Sequence, residues 1–235
     1  MTDRTAARVV GALFILATGS FSASVAVLDP VVGASDFLTQ VALDEARVGI
    51  GVLLEFVNHT AVVAIAVVMY PILKRYSERL AMGYVAARSI EAVLFAVATM
   101  HLLTLVPVSQ EFVAAGAPSG SHLRSMGHVL LAGHDWNRTP LAFTAFGVGA
   151  LILNGALYWT RIVPRWISAF GLLAASLILA ARLVLLGGVE LSSDAVTMLD
   201  GSIFLQEMVF AVWLILRGFD PSVLATPSDS AHVTE

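Results

Sequence analysis

The sequence predicts an all-α fold: an integral membrane bundle of six transmembrane helices with both termini cytoplasmic. Three observations carry that prediction. Of the 235 residues, 58% are hydrophobic and only 13% are charged, more apolar and less charged than the usual soluble domain. The apolar residues fall into six runs of about 20, the length needed to cross a hydrocarbon core of about 30 Å. Basic residues gather in alternate loops, as they do where translocation of Lys and Arg is resisted.

The first run, residues 9–28, follows Arg4 and Arg8. It is longer than the roughly 7–15 apolar residues of a secretory signal core, so it reads as a membrane helix. The second, 48–70, is followed by Pro71, Lys74 and Arg75, and the third, 81–105, by Pro107. The fourth, 141–159, comes after Pro140; the fifth, 166–186, after Pro164; the sixth is 199–216. Each of these prolines is expected at a helix edge, where its missing N–H costs least. Between the third and fourth runs, the small residues of 114–121 make a turn. Leu123, Met126 and Leu130 then recur at helical spacing, which predicts a short amphipathic helix on the outer surface or partly re-entrant. The polar stretch 220–235 lacks apolar periodicity and is expected to be a disordered cytoplasmic tail. The chain thus divides into a transmembrane domain, 1–219, and a tail, 220–235.

Eight of the 13 basic residues (Arg4, Arg8, Lys74, Arg75, Arg79, Arg161, Arg165 and Arg217) fall on the side of the termini. Arg47, Arg124 and Arg138 fall in or beside the opposite loops, which also collect acids such as Asp36, Asp44, Glu111, Asp135 and Asp200. Both patterns place the termini in the cytoplasm and the chain in the cell membrane. The thin scatter of basic residues and a net charge of −4 offer no stripe for a phosphate backbone, which excludes nucleic acid as a partner. The absence of cysteine removes disulfides, thiolate metal sites and thiol nucleophiles. His122, His128, His134 and Asp135 crowd the outer segment without a recognised zinc spacing, so neither metal nor cofactor is expected.

The informative residues are the polar ones inside the apolar runs, because each costs a few kcal/mol in hydrocarbon and demands a partner. These are Glu55, Asn58, His59, Arg88, Glu91, Arg182, Gln206 and Glu207, with His101 and Asn154 as weaker members. At about 1.5 Å of rise per residue, Glu55 and Arg182 lie at similar depth, outward of the midplane, where they are able to pair. His59, Glu91 and Glu207 lie near the midplane. Arg88 and Glu91, three apart, share a face, as do Glu55 and His59, four apart. Should the second, third, fifth and sixth helices pack together, three acids, two arginines and a histidine would converge.

Four stretches resemble the bacterial domain of unknown function 4386 family: Tyr70-Pro71-Ile72-Leu73-Lys74, residues 80–91 from Leu80 to Glu91, Val163-Pro164-Arg165-Trp166-Ile167-Ser168, and residues 205–215 from Leu205 to Ile215. The resemblance covers the chain apart from the tail. It implies a multi-pass protein of the bacterial inner membrane and supplies neither an activity nor a catalytic residue. The residues themselves favour a non-enzymatic membrane protein whose buried charge network holds the bundle and binds a small-molecule ligand, with the lipid bilayer as its other partner. The alternatives are a small-molecule or proton-linked transporter using Glu55, Glu91 or Glu207 with His59, and an intramembrane enzyme.

Overall fold

The computed structural model describes residues 2–118, 120–189 and 191–224. Its helices, in chain order, are α1 (Asp3–Val32), α2 (Phe37–Leu43), α3 (Glu45–Lys74), α4 (Glu78–Ala114), α5 (His122–Trp136), α6 (Phe143–Thr160), α7 (Arg165–Leu186), α8 (Ser193–Leu216) and the single turn α9 (Pro221–Leu224). A π-helical segment, Asn137–Ala142, joins α5 to α6 without a break. Six of the described helices are long and apolar enough to cross a membrane, counting α5, the π segment and α6 as one. There is no strand among the described residues.

The helices begin well before the apolar runs, because their starts are set by caps rather than by the edge of the hydrocarbon. Thr2, Asp44, Ser77, Ser121 and Ser192 each accept a backbone N–H of the first turn through a side-chain oxygen, satisfying donors the helix cannot pair internally. The far ends of α1, α3 and α4 overrun the expected limits too, while α7 and α8 end at Leu186 and Leu216 as expected. Pro30, Pro71 and Pro107 lie inside their helices, which corrects the expectation that each proline stands at an edge. All three fall within the last two turns, where a lost N–H interrupts only the final hydrogen bonds. Membrane helices also tolerate proline where neighbouring groups re-satisfy the freed carbonyls.

The expected amphipathic helix is α5, but it neither lies apart from the fourth span nor ends before it. Pro140 is accommodated by the wider π turn, and the Asn137 side chain donates from Nδ2 to the Gly133 carbonyl at 2.8 Å. At about 1.5 Å per residue, α4 is ~55 Å long, so α4 and the α5–α6 rod extend beyond the bilayer together at the end distal to the termini. Leu38 of α2, a helix the apolar pattern did not announce, packs on Gly127 of α5. With Val31, Phe37, Val41, Val48, Leu105, Phe112 and Leu123 it makes a distal core. Residues 221–224, counted in the tail, form α9, and 225–235 lie outside the described residues. Asp220 N–H donates to the Ile162 carbonyl at 2.9 Å, tying the end of α8 to the α6–α7 turn.

The long helices close into a ring in chain order: α1 against α3, α3 against α4, α4 against α6, α6 against α7, α7 against α8, and α8 back against α1. Each neighbour runs antiparallel, so both described ends of the chain lie at one face. There Arg75 forms a two-pronged pair with Asp3, at 2.7 and 3.0 Å. Polarity is inverted relative to a soluble domain: Leu53, Phe56, Val67, Ile90, Val93 and Met100 are more than half exposed on the outside, while Glu55, Arg88, Glu91 and Arg182 are at most 3% exposed. In lipid, close packing rather than hydrophobic exclusion holds helices together. The α1–α8 seam is built that way, with Gly11 lying against the Ala211 carbonyl and Ile215 and Phe14 edge-on to Phe210 at 5.4 Å.

Candidate functional site

The seam is closed only along the half nearer the termini. Its last contact is a hydrogen bond from Thr18 Oγ1 to Glu207 Oε2 at 2.8 Å. Beyond it the two helices border a cavity of about 430 Å³ inside the ring. The spacing of its wall residues is helical on every contributing element. Thr18, Phe21, Ser22 and Val25 come from α1, Arg88, Glu91 and Phe95 from α4, and Asp200, Gly201, Phe204 and Glu207 from α8. Asn58 of α3 and Phe143 and Phe146 of α6 complete the wall. The mouth is the gap between α1 and α8, where Ser22, Thr197, Gly201 and Phe204 are exposed.

Arg88 and Glu91 pair through Nη1 and Oε2 at 2.8 Å, both side chains 3% exposed. The Arg88 guanidinium also lies 5.3 Å from the Phe146 ring centre and 5.9 Å from that of Tyr84. Gly149 sits against Ala87 and Arg88, so the absence of a side chain on α6 makes room for the arginine stem. Glu207 makes no salt-bridge contact among the described residues; it accepts from the neutral Thr18 hydroxyl and lies within the field of Arg88.

The expected pairing of Glu55 with Arg182 is not formed. Depth alone allowed it, but α7 sits between α6 and α8, across the ring from α3. Arg182 instead pairs through Nη2 with Asp200 and lies over the Phe143 ring at 4.8 Å. Glu55 accepts from Thr99 Oγ1 at 2.6 Å and faces His134 Nε2 at 3.8 Å and Arg138 Nε at 3.9 Å. His134 Nδ1 lies 3.0 Å from Asp135, whose side chain is 65% exposed. His59 is stacked on Phe95 at 5.3 Å rather than joined to an acid by a hydrogen bond. Gln206 turns away to α6, its Nε2 donating to Asn154 Oδ1 at 3.3 Å.

The convergence therefore takes a different form from the one expected. Three guanidiniums (Arg88, Arg138, Arg182) face four carboxylates (Glu55, Glu91, Asp200, Glu207), and each guanidinium also lies over a phenylalanine ring. The set carries a net charge of −1 with its histidines neutral. His134 and Arg138 fall outside the apolar runs, in helical segments that overrun them, and Asp200, counted with the outer acids although it stands at the edge of the sixth run, lies two turns inside α8. The signal that points to Arg138 is Pro140, two residues on, which forces the π turn that carries it. π turns concentrate at functional sites.

Residues 9–218 match the model of a family described as Domain of unknown function (DUF4386). No curated protein and no solved structure matches the chain.

Proposed function

The chain belongs to the DUF4386 family, whose description assigns no activity, and from that premise we propose that it is a non-enzymatic protein of the cell membrane that binds a small ligand inside its helix ring. The observation that carries this reading is the cavity of about 430 Å³ with a mouth between α1 and α8. Ligand sites are typically concave and mostly apolar with a few convergent polar groups, and this wall combines phenylalanines with Arg88, Glu91, Asp200 and Glu207. The interhelical contacts of Arg182 with Asp200 and of Arg138 with Glu55 also help hold the bundle together where lipid gives no hydrophobic drive. A structural role alone accounts for the pairs but not for the space between them. The test is native mass spectrometry of the protein released from lipid nanodiscs. The wild type should carry a small-molecule mass that Gly201→Phe, placed at the mouth, loses while keeping its helical circular dichroism. A bare wild type would count against the reading.

A second reading, proton-linked transport, is favoured by one observation. Exposed Asp135, buried His134 and buried Glu55 stand in line, with contacts of 3.0 and 3.8 Å. The longer gap, also faced by Arg138 Nε, suits a bridging water. Infrared spectra of reconstituted protein should then show a carboxyl band that appears on acidification and is absent from Glu55→Gln. A spectrum unchanged with pH would remove this alternative.

A further inference from the structure

The cavity wall has a chemical bias that narrows what it accepts, an inference that rests on the ligand-binding reading above. Carboxylates outnumber guanidiniums on the wall: Glu91, Asp200 and Glu207 against Arg88. Glu91 is salt-bridged to Arg88 and Asp200 to Arg182, whereas Glu207 accepts a hydrogen bond from the Thr18 hydroxyl and shares the charge of Arg88 with Glu91. A second unmet group points the same way. Asn58, 6% exposed, donates from Nδ2 to the Ala17 carbonyl at 3.0 Å, and its Oδ1 is buried without a partner. The amide orientation is chemically set, because the Ala17 carbonyl only accepts and so must meet the NH2. The cavity thus presents more carboxylates than guanidiniums, and an unsatisfied carbonyl oxygen lies buried in its wall, all acceptors, amid Phe21, Phe95, Phe143 and Phe204.

We propose that the cavity binds a protonated amine carrying an apolar body, with the ammonium N–H groups donating to Glu207 and, once the Asn58 side chain turns inward, to its Oδ1, and the body lying among the phenylalanines. Buried acceptors left unpaired are costly, and an ammonium supplies both the donors and the opposite charge. Aromatic faces add attraction for a cation. A neutral alcohol would leave three wall carboxylates, Glu91, Asp200 and Glu207, with Arg88 as the one wall guanidinium. An anion would find one guanidinium, already committed to Glu91, against three carboxylates.

The experiment uses the full chain in nanodiscs of zwitterionic phosphatidylcholine, with empty discs as the blank, titrated with three probes of one shape: 2-phenylethylammonium, 2-phenylethanol and 3-phenylpropionate. The expected result is saturable binding of the ammonium, at least tenfold weaker for the other two. Glu207→Gln, in which the amide oxygen still accepts from Thr18, should weaken the ammonium at least tenfold. Asn58→Leu should weaken it severalfold, so that either variant suffices if the other does not fold. Equal or tighter binding of the alcohol or the anion overturns the amine assignment and leaves the ligand-binding reading standing. Binding of none of the three, with a ligand mass still present in the native spectrum, overturns the amine assignment alone; without that mass both fall. Ammonium binding unchanged in both variants also overturns it.

Discussion

The Arg182–Asp200 pair makes an asymmetric prediction, because its partners are unequally buried: the Arg182 side chain is 1% exposed and that of Asp200 37%. Asp200→Asn strands a guanidinium whose Nε and Nη1 already lack hydrogen-bond partners. An arginine at a helix centre in the bilayer costs about 2.5–3.5 kcal/mol, an upper bound for Arg182 near the end of α7, and an amide oxygen that still accepts one N–H returns about 1 kcal/mol, leaving a loss of up to about 2 kcal/mol. Arg182→Leu strands the carboxylate instead. The Asp200 side chain is less buried and still feels the positive field of Arg138, so this loss should be the smaller of the two, about 1 kcal/mol. In the double variant the stranded guanidinium is gone, and stability should return to about that of Arg182→Leu alone, a coupling of about 1.5–2 kcal/mol. Reversible unfolding in mixed micelles with increasing sodium dodecyl sulfate, followed by far-ultraviolet circular dichroism, measures all three. Equal single losses, or effects that add to within about 0.5 kcal/mol, would refute the reasoning from unequal burial.

Other expectations follow from the same geometry. Gly11→Ala should cost about 1–3 kcal/mol by overpacking, since its Cβ would meet the Ala211 carbonyl oxygen at 2.6 Å. Gly19→Ala, which meets nothing within 4 Å, should be neutral or gain up to about 1 kcal/mol in the same unfolding assay. Arg75→Ala should cost less than about 1 kcal/mol, because both partners of that pair are about 40% exposed. A chain without cysteine permits clean topology mapping. In intact cells a membrane-impermeant maleimide should label Ala115→Cys and reach Thr5→Cys only after lysis; the opposite pattern would reverse the cytoplasmic assignment of the termini.

The six spans were legible because length and hydropathy are properties of each segment alone. So was the Arg88–Glu91 contact, since residues three apart on one helix meet whatever the surroundings. Partners on different helices were not. Depth placed Glu55 level with Arg182, but only the order of helices around the ring decides that Glu55 meets Thr99, His134 and Arg138. The loops were misjudged for a related reason. Apolar runs mark where hydrocarbon is, whereas Ser121, Ser192 and the π turn at Pro140 decide where helix is. Those signals lie in polar sequence, which is why apolar runs alone miss that His134 and Arg138 are helical.

The half-open seam between α1 and α8 changes what an affinity for this protein would mean. An occupant that enters sideways through this gap from lipid is drawn from the bilayer as a reservoir, at whatever concentration partitioning sets there. Half-saturation expressed in aqueous concentration then scales inversely with the partition coefficient: doubling the coefficient halves it with no change in any contact inside the ring. Two compounds that fit equally well would be ranked by their solubility in the membrane. A change in lipid composition would shift occupancy as effectively as a substitution at Glu207.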